Sequence, residues 1–196
     1  MPRGARGARF VFMSGPSPAK DAWLKKVPDG DTHERLVCPD CGYVEYDNPK
    51  IVVGAVCTWE DRILLCRRAI NPRKGFWVFP AGYLELRETT AAGACREARE
   101  EAGVEIAIDH LLAVYTIPRL SQVQLIYRAR LPSATLNPGP ETLEANLFSW
   151  DEIPWDDLAF PTVRWALTHH HELRGQTDFA PRGNPPGESA NYLKTT

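Results

Sequence analysis

The sequence predicts an α/β domain in which a mixed β-sheet is sandwiched between helices. Several apolar runs have the length and alternation of strands, and helical patterns stand before and after some of them. The chain has 196 residues, of which 43% are hydrophobic. It is therefore long enough for one core domain with extensions at its ends.

Four segments are distinguished along the chain. Residues 1–20 contain basic side chains and no acid, so we expect a flexible basic leader; organelle transit peptides have a similar composition. Residues 21–50 form a small pre-domain, and residues 51–174 form the main domain. Residues 175–196 are rich in Gly, Pro and polar residues, which predicts a flexible tail.

The main domain begins with the two strands of a hairpin. Residues 51–59 and 62–67 are apolar runs joined by the turn Glu60-Asp61. A short strand at residues 76–79 leads through a tight turn into the first helix. The later elements are three strands and a last helix, at residues 111–117, 123–131, 146–150 and 161–173.

The first helix carries the most informative pattern. Glu97, Glu100 and Glu101 follow one another at i, i+3 and i+4, so their Cβ atoms are neighbours on one helix face, roughly 5–6 Å apart. Carboxylates this close repel one another unless protons or a cation neutralise them. Hard oxygen ligands suit Mg²⁺ or Mn²⁺ better than zinc. We expect this face to look into a cleft and to bind a divalent ion.

The ends and the other face of this helix are also predicted. Thr89 or Thr90 can cap the N-terminus, and Gly103 stands where a left-handed residue would end the helix. A face of small residues would let the helix lie close to a sheet: Ala91, Ala94, Cys95, Ala98 and Ala102. A solvated, Glu-rich helix is the alternative, and the residues around the acids argue against it.

Those residues form a pattern with fixed spacing. It reads Gly82, five residues, Glu88, seven residues, Arg96-Glu97, an apolar residue and one more, Glu100-Glu101, one more, Gly103 and an apolar residue. The pattern resembles the Nudix box at every fixed position. The resemblance implies a Nudix α/β/α sandwich and an enzyme that hydrolyses the pyrophosphate of a nucleoside-diphosphate-linked substrate with Mg²⁺ or Mn²⁺.

The resemblance also implies roles for individual residues. Glu97 and Glu101 would be the primary metal ligands, with Glu100 a ligand or a neighbour of one. The backbone carbonyl of Ala81 is a further candidate ligand. Arg96 is expected to hold Glu88 or the loop by an ion pair rather than to contact the substrate.

A fourth acid and the general base are left open. Glu97 and Glu144 are both candidates for the base. Glu144 precedes a strand that could bring it to the metal ions, as an equivalent Glu does in related pyrophosphatases. Glu141 competes for this role, and an ordinary loop acid is the alternative.

The substrate-binding candidates are cationic and aromatic. Arg67 and Arg68 could pair with phosphates. Trp77 and Tyr83 could stack on an adenine or isoalloxazine ring, although a core position is the favoured interpretation of each.

The pre-domain contains half of a zinc-binding pattern. Cys38 and Cys41 have the spacing of one zinc knuckle, whereas a structural zinc needs four ligands. Residues 27–175 resemble the zinc-ribbon subgroup of Nudix hydrolases, which includes FAD diphosphatases. In that subgroup another Cys pair comes earlier, where this chain has Pro16 and Ala19. This loss argues against bound zinc and favours a degenerate zinc-ribbon-like β element; any zinc would be structural.

The subgroup resemblance favours FAD, cleaved to FMN and AMP, as the substrate. ADP-ribose or another dinucleotide is the alternative. A Nudix fold that senses nucleotides without catalysis is a second alternative, which the intact box argues against.

Composition limits the partners. The formal net charge of −2 does not favour a nucleic-acid or membrane-surface partner, and no apolar run approaches the roughly 20 residues of a membrane helix. Five cysteines without a disulfide pattern favour a reducing compartment, for which we expect the cytoplasm. A homodimer is an expectation from the resemblance, since family members often dimerise.

Overall fold

The computed structural model describes residues 22–188. The chain divides into two compact units between Asn48 and Pro49, close to the predicted boundary after residue 50. The first unit is a three-stranded antiparallel sheet in chain order. Its strands are β1 (Leu24–Lys26), β2 (Arg35–Val37) and β3 (Val44–Glu45).

The second unit contains a seven-stranded mixed sheet and two α-helices. The strands are β4 (Lys50–Trp59), β5 (Arg62–Arg68), β6 (Trp77–Val78), β7 (Ala81–Tyr83), β8 (Ala107–Ile117), β9 (Gln122–Arg130) and β10 (Thr142–Phe148). The helices are α1 (Thr90–Ala102) and α2 (Pro161–Glu172). The main path runs β10-β5-β4-β9-β8, with β6 on β5 and β7 on β4. The β4–β9 pair is parallel and the other pairs are antiparallel.

Each face of the sheet packs against one helix. Successive side chains of a strand point to opposite faces, and in β4 Ala55 lies in a buried cluster with Ala98 of α1. Its neighbour Val56 lies in the other cluster, with Trp165 of α2. The predicted α/β/α sandwich with a mixed sheet is confirmed.

The sheet splits between β4 and β5. The two strands pair only beside their turn, at Thr58–Ile63 and Trp59–Arg62. Beyond these pairs, β6 joins the end of β5 and β7 joins the start of β4. The segment predicted as a tight turn after residue 79 therefore contains a strand, because its backbone pairs with β4. Because of this split, strand β7 lies against the face of α1 that carries Glu97 and Glu101.

The ends of α1 lie where the sequence predicts. The Thr89 hydroxyl accepts a hydrogen bond from the Ala92 N–H at 3.1 Å, and Gly103 adopts a left-handed φ of 66°. The Asn137 N–H donates to the carbonyl of Ala102, in the last turn, at 2.8 Å. This second contact fixes a distant loop to the helix end.

Part of the predicted flexible tail makes defined contacts instead. The Arg182 backbone exchanges hydrogen bonds with Leu112 and Val114 of β8, and the Asn184 side chain bonds both backbone groups of Thr116. This segment covers the outer edge of β8, where unpaired groups would otherwise face water. Residues 189–196 and the predicted leader lie outside the described residues. Between residues 22 and 188, no helix is long and apolar enough to cross a membrane.

Candidate active site

Two of the three clustered acids lie beneath strand β7. Glu97 is 8% exposed and Glu101 is 9% exposed, whereas Glu100 is exposed. A Cβ atom added to Gly82 would lie 2.5 Å from the carboxylate carbon of Glu97, so a larger residue there would force this carboxylate to move. The Ala81 N–H donates a hydrogen bond to Glu101 at 3.2 Å. The backbone of β7 thus covers the acidic face. The sequence predicts that this face looks into a cleft.

Arg96 links strand β7 to helix α1 by hydrogen bonds. Its guanidinium donates to Glu88 at 2.8 Å and to the Tyr83 carbonyl at 2.9 Å. The same group bonds Glu97 at 2.7 Å and Glu100 at 3.0 Å. Charge-assisted bonds of this kind are stronger than neutral ones. Arg96 therefore has the geometry of the ion pair predicted for it.

Burial governs the protonation of the two covered acids. It raises the pKa of Glu101 to about 8, with the charges of Glu97 and Glu141 adding to the effect. Burial also raises the pKa of Glu97, although its bond to Arg96 opposes the shift. Glu88 shows the opposite balance, because its bonds to Arg96 lower its pKa. Glu97 and Glu101 would therefore be stabilised as carboxylates by a nearby cation.

The donor set has the chemistry of a site for a hard divalent ion. Oxygen atoms of Glu97, Glu100 and Glu101, with the Ala81 carbonyl, are the ligands that Mg²⁺ and Mn²⁺ prefer. In residues 22–188, no three His, Cys, Asp or Glu side chains are already gathered as a metal site. One guanidinium nitrogen of Arg96 bonds both Glu97 and Glu100.

The two predicted phosphate-binding arginines have different surroundings. Successive residues of β5 alternate between the faces of the sheet, so Arg67 and Arg68 leave the strand on opposite sides. The Arg68 guanidinium nevertheless lies 5.4 Å from the ring centroid of Phe160, which packs against the α2-side cluster. Arg68 is close enough to Glu101 for its charge to oppose the rise in the pKa of Glu101. Arg67 instead approaches Glu144 at 3.7 Å.

Glu144 consequently lies on the face away from the clustered acids. It pairs with Arg67 across the β5–β10 ladder, and a register shift separates it from Thr142. Its carboxylate accepts a hydrogen bond from Asn146 at 2.5 Å. Glu141 lies on the other side of this irregularity, and its charge raises the pKa of both covered acids. Glu141 is thus close enough to the acidic face for its charge to act on both covered acids.

The two aromatic candidates have different surroundings. Trp77 is buried in the α2-side core, edge-on to Phe148 with ring centroids 5.0 Å apart. Tyr83 is 53% exposed, and the Lys50 ammonium lies 5.5 Å from its ring centroid. Tyr83 is the one of the pair with a ring face accessible to a ligand.

The cysteine knuckle forms without a complete zinc site. Backbone N–H groups of Cys41 and Asp40 hydrogen-bond the Cys38 sulfur and lower the pKa of its thiol. Gly42 takes the left-handed φ of 73° that the turn requires. The remaining cysteines of the chain lie in the other unit, where Cys57 and Cys66 are buried. Two thiols alone do not fit a structural zinc, which takes four ligands.

A profile of the NUDIX domain family matches residues 48–167, which is more than half of the chain. The chain belongs to the Nudix family. A second profile, described as Nudix N-terminal, matches residues 22–47. The resemblance inferred from the box and the knuckle is confirmed, as is the class of enzyme, a Nudix hydrolase.

Relatives and solved structures agree with this family. An ADP-ribose pyrophosphatase of Methanocaldococcus jannaschii is 30% identical over 60% of this chain and 71% of its own length. A NAD-capped RNA hydrolase NudC of Pseudomonas aeruginosa is 33% identical over 62% of this chain, but this chain spans only 44% of that protein. The crystal structure of a NUDIX hydrolase from Nitrosomonas europaea has 42% identity and a TM-score of 0.76, covering 82% of this chain and 92% of that one.

Proposed function

We propose that this Nudix hydrolase cleaves the pyrophosphate bond of FAD, giving FMN and AMP, with Mg²⁺ or Mn²⁺. The observation that carries the proposal is the pair of buried acids, Glu97 and Glu101, beneath Gly82. Buried carboxylates with raised pKa values are suited to bind cations rather than to face water. When bound, divalent ions would offset the charge of the phosphates and lower the pKa of an attacking water.

The protein's own residues position and select the substrate. Glu97 and Glu101 would be the primary ligands, joined by Glu100 after it leaves Arg96. Arg96 would keep its bonds to Glu88 and so hold β7 above the site. Glu97 remains the candidate base among these residues, since Glu144 lies on the opposite face.

Charge and an exposed ring support binding of a dinucleotide. The charge of Arg68 acts on Glu101, and its guanidinium could pair with a phosphate. Tyr83 adjoins Arg96 through its carbonyl and exposes its ring, which could stack on adenine or flavin. The resemblance of the N-terminal unit to FAD diphosphatases favours flavin.

ADP-ribose is the second candidate, favoured by the relative named an ADP-ribose pyrophosphatase. FAD, ADP-ribose and NAD share an AMP unit joined through a pyrophosphate to another moiety, so the site chemistry is the same. A sensor without catalysis would need none of the box acids, and all of them are present.

A substrate panel tests the proposal. Purified protein is incubated with Mg²⁺ and FAD, ADP-ribose, NAD or NADH, and products are separated by chromatography. We expect FMN and AMP from FAD, with the highest kcat/KM of the panel.

Glu101→Gln should lower kcat by several orders of magnitude, because such electrostatic contacts are worth several kcal/mol in the transition state. A higher kcat/KM for ADP-ribose than for FAD would show that ADP-ribose is the preferred substrate. If no compound is turned over, the proposal of a catalytic function is wrong.

A further inference from the structure

We propose that Cys38 and Cys41 form a thiol–disulfide redox site, which a peroxide oxidises to an intramolecular disulfide and a dithiol reduces again. The site lies in the first unit, whereas the clustered acids lie in the second, so it goes beyond the proposed hydrolysis. Three observations carry it: the contact between the two thiols, their unequal exposure and a donor set too small for a metal.

The backbone of the knuckle brings the two thiols together. The Cys38 N–H donates to the Tyr43 carbonyl at 2.9 Å, and the Gly42 N–H donates to the Cys38 carbonyl at 3.0 Å. Within this closed turn, the Cys41 side chain hydrogen-bonds the Cys38 sulfur. Two sulfur atoms already in contact can reach the disulfide bond length of about 2.0 Å by rotation of their side chains.

The two thiols differ in exposure, which gives them different roles. Cys41 is exposed, whereas Cys38 is only 2% exposed. A dissolved oxidant therefore meets Cys41 first, while Cys38 is shielded from it and lies beside the reacting sulfur. The Asp40 and Cys41 N–H groups donate to the Cys38 sulfur and lower the pKa of its thiol, although the charge of Asp40 opposes the shift. Because the thiolate is the attacking form, Cys38 is suited to resolve an oxidised Cys41.

The reaction balances with hydrogen peroxide as the oxidant. The Cys41 thiolate attacks one peroxide oxygen, the O–O bond breaks and hydroxide leaves, which gives a sulfenic acid at Cys41. The Cys38 thiolate then attacks the Cys41 sulfur, and the S–O bond breaks as the S–S bond forms. The hydroxide ions take up the thiol protons, so two thiols and one peroxide give one disulfide and two waters. A dithiol reductant reverses this by exchange and itself becomes a disulfide.

The groups around the pair do not complete a metal site that would occupy the thiols. The Nδ1 atom of His33 is engaged with the Thr32 hydroxyl at 2.9 Å. Between residues 22 and 188, no three His, Cys, Asp or Glu side chains are gathered as a metal site, and a structural zinc takes four ligands. The pair is therefore free to react, and disulfides of reducing compartments are usually transient and redox-sensing.

The other thiols of the chain have different partners and serve as internal controls. The buried Cys57 thiol donates to the Ala55 carbonyl at 3.5 Å, and the half-buried Cys95 thiol donates to the Ile106 carbonyl at 3.9 Å. Cys66 is buried as well. Oxidation at low peroxide concentration should therefore be confined to the knuckle.

Counting thiols by mass spectrometry tests the pair. The full-length protein is treated with EDTA and then with increasing peroxide, and the remaining thiols are alkylated after denaturation. Wild type should lose two of its five thiols first, with a link between Cys38 and Cys41 of the same chain, and dithiothreitol should restore all five. Cys95→Ser is the matched control and should lose the same two.

Trapping with dimedone, which reacts with sulfenic acids, tests the order of the steps. Cys38→Ser should keep the label on Cys41, because no neighbouring thiol resolves the sulfenic acid. Cys41→Ser should form no link and carry no label on Cys38, which is shielded. If Cys38→Ser fails to fold, Cys41→Ser decides alone, since the side chain that it changes is exposed.

Three results would overturn the proposal. Wild type could keep the two knuckle thiols until Cys95 is also oxidised, which would show that the pair has no special reactivity. The link could join different chains, which would exclude an intramolecular site. A label on Cys38 in Cys41→Ser would show that Cys41 is not the first thiol to react.

Discussion

At the scale of single residues, the candidate active site depends on places where a side chain is absent. Gly82 leaves room for the carboxylate of Glu97, and Gly139 leaves room for the carbonyl of Glu100. Both contacts join segments that are distant in sequence, and both end at the acidic turn of α1. The acids are therefore positioned by backbone, which is stiffer than the side chains that usually support such groups.

Gly82→Ala should reduce activity far more than stability. The backbone of Gly82 has no left-handed φ, so alanine is allowed there and the added methyl group acts only on its neighbour. That neighbour is the Glu97 carboxylate, held by Arg96 at 2.7 Å, and it must move. A displacement of about 1 Å in a catalytic group costs about 10²-fold in rate, which steady-state kinetics would measure as kcat/KM.

Gly183→Ala is the control for this prediction. Nothing lies within 4 Å of a Cβ atom at Gly183, and its φ is ordinary, so wild-type kinetics are expected. Full activity in Gly82→Ala would show that Glu97 does not need its present position.

At the scale of elements, local patterns could be predicted and pairing could not. The ends of α1 follow from Thr89 and Gly103, and the adjacency of Glu97 and Glu101 follows from helical geometry, because each depends on neighbours in sequence. The face of Glu144 depends on an irregularity between Thr142 and Glu144 in the β5–β10 ladder. No residue pattern in the sequence specifies that shift, and one extra residue reverses the face of a side chain.

The covering of the acids was unpredictable for the same reason. The sequence shows apolar residues followed by a turn, and it does not show that Ala81–Tyr83 pairs with β4 across the split. Gly139 was likewise missed. The only sequence signal was a turn-forming Asn137-Pro138-Gly139 before an acid, which many surface loops share.

Helix α2 should make stability depend on pH through His170. This side chain is 8% exposed, and its Nδ1 atom has no hydrogen-bond partner among the described residues. Burial lowers its pKa to about 4, and the charges of Arg128, His171 and Arg174 add to the shift. The folded pKa is below the unfolded value of about 6.5, so the unfolded chain binds the proton more readily. Stability should therefore fall as pH decreases from about 6.5 to 4 and stay level above 7.

Denaturant unfolding at pH 7 and pH 5 measures this effect. Wild type should lose about 1–2 kcal/mol more than His170→Gln over that interval. His33→Gln is the control, because His33 is an exposed histidine, and it should retain the wild-type pH dependence. Equal losses in wild type and His170→Gln would contradict the assignment.

At the scale of the whole molecule, the two units meet different physical requirements. The Nudix unit has two buried clusters, one on each face of a seven-stranded sheet. The first unit has three strands of two or three residues, and a sheet this small is usually stabilised by a metal or by packing. Its polar contacts include Asp31, which accepts bonds from Arg35 and from the N–H groups of Thr32 and His33.

The first unit should fold without zinc. Cys38 and Cys41 supply two ligands, and residues 1–21 and 189–196 contain neither Cys nor His, so the chain cannot complete a four-ligand Cys site in that unit. Protein purified with zinc in the medium should contain far less than one zinc per chain by elemental analysis. Hydrogen exchange of residues 35–45 should be the same with and without EDTA, because the knuckle is held by N–H···S bonds and the Asp31 turn rather than by a metal.

The double variant Pro16→Cys, Ala19→Cys introduces a second Cys pair, at the place where the resemblance to the zinc-ribbon subgroup implies one, and it should take up one zinc per chain. It shows whether the assay detects a ribbon site when four thiols are present. One zinc per wild-type chain would mean that other residues complete the site. Half a zinc per chain would mean that two copies share it through Cys38 and Cys41, and either result would refute a metal-free ribbon.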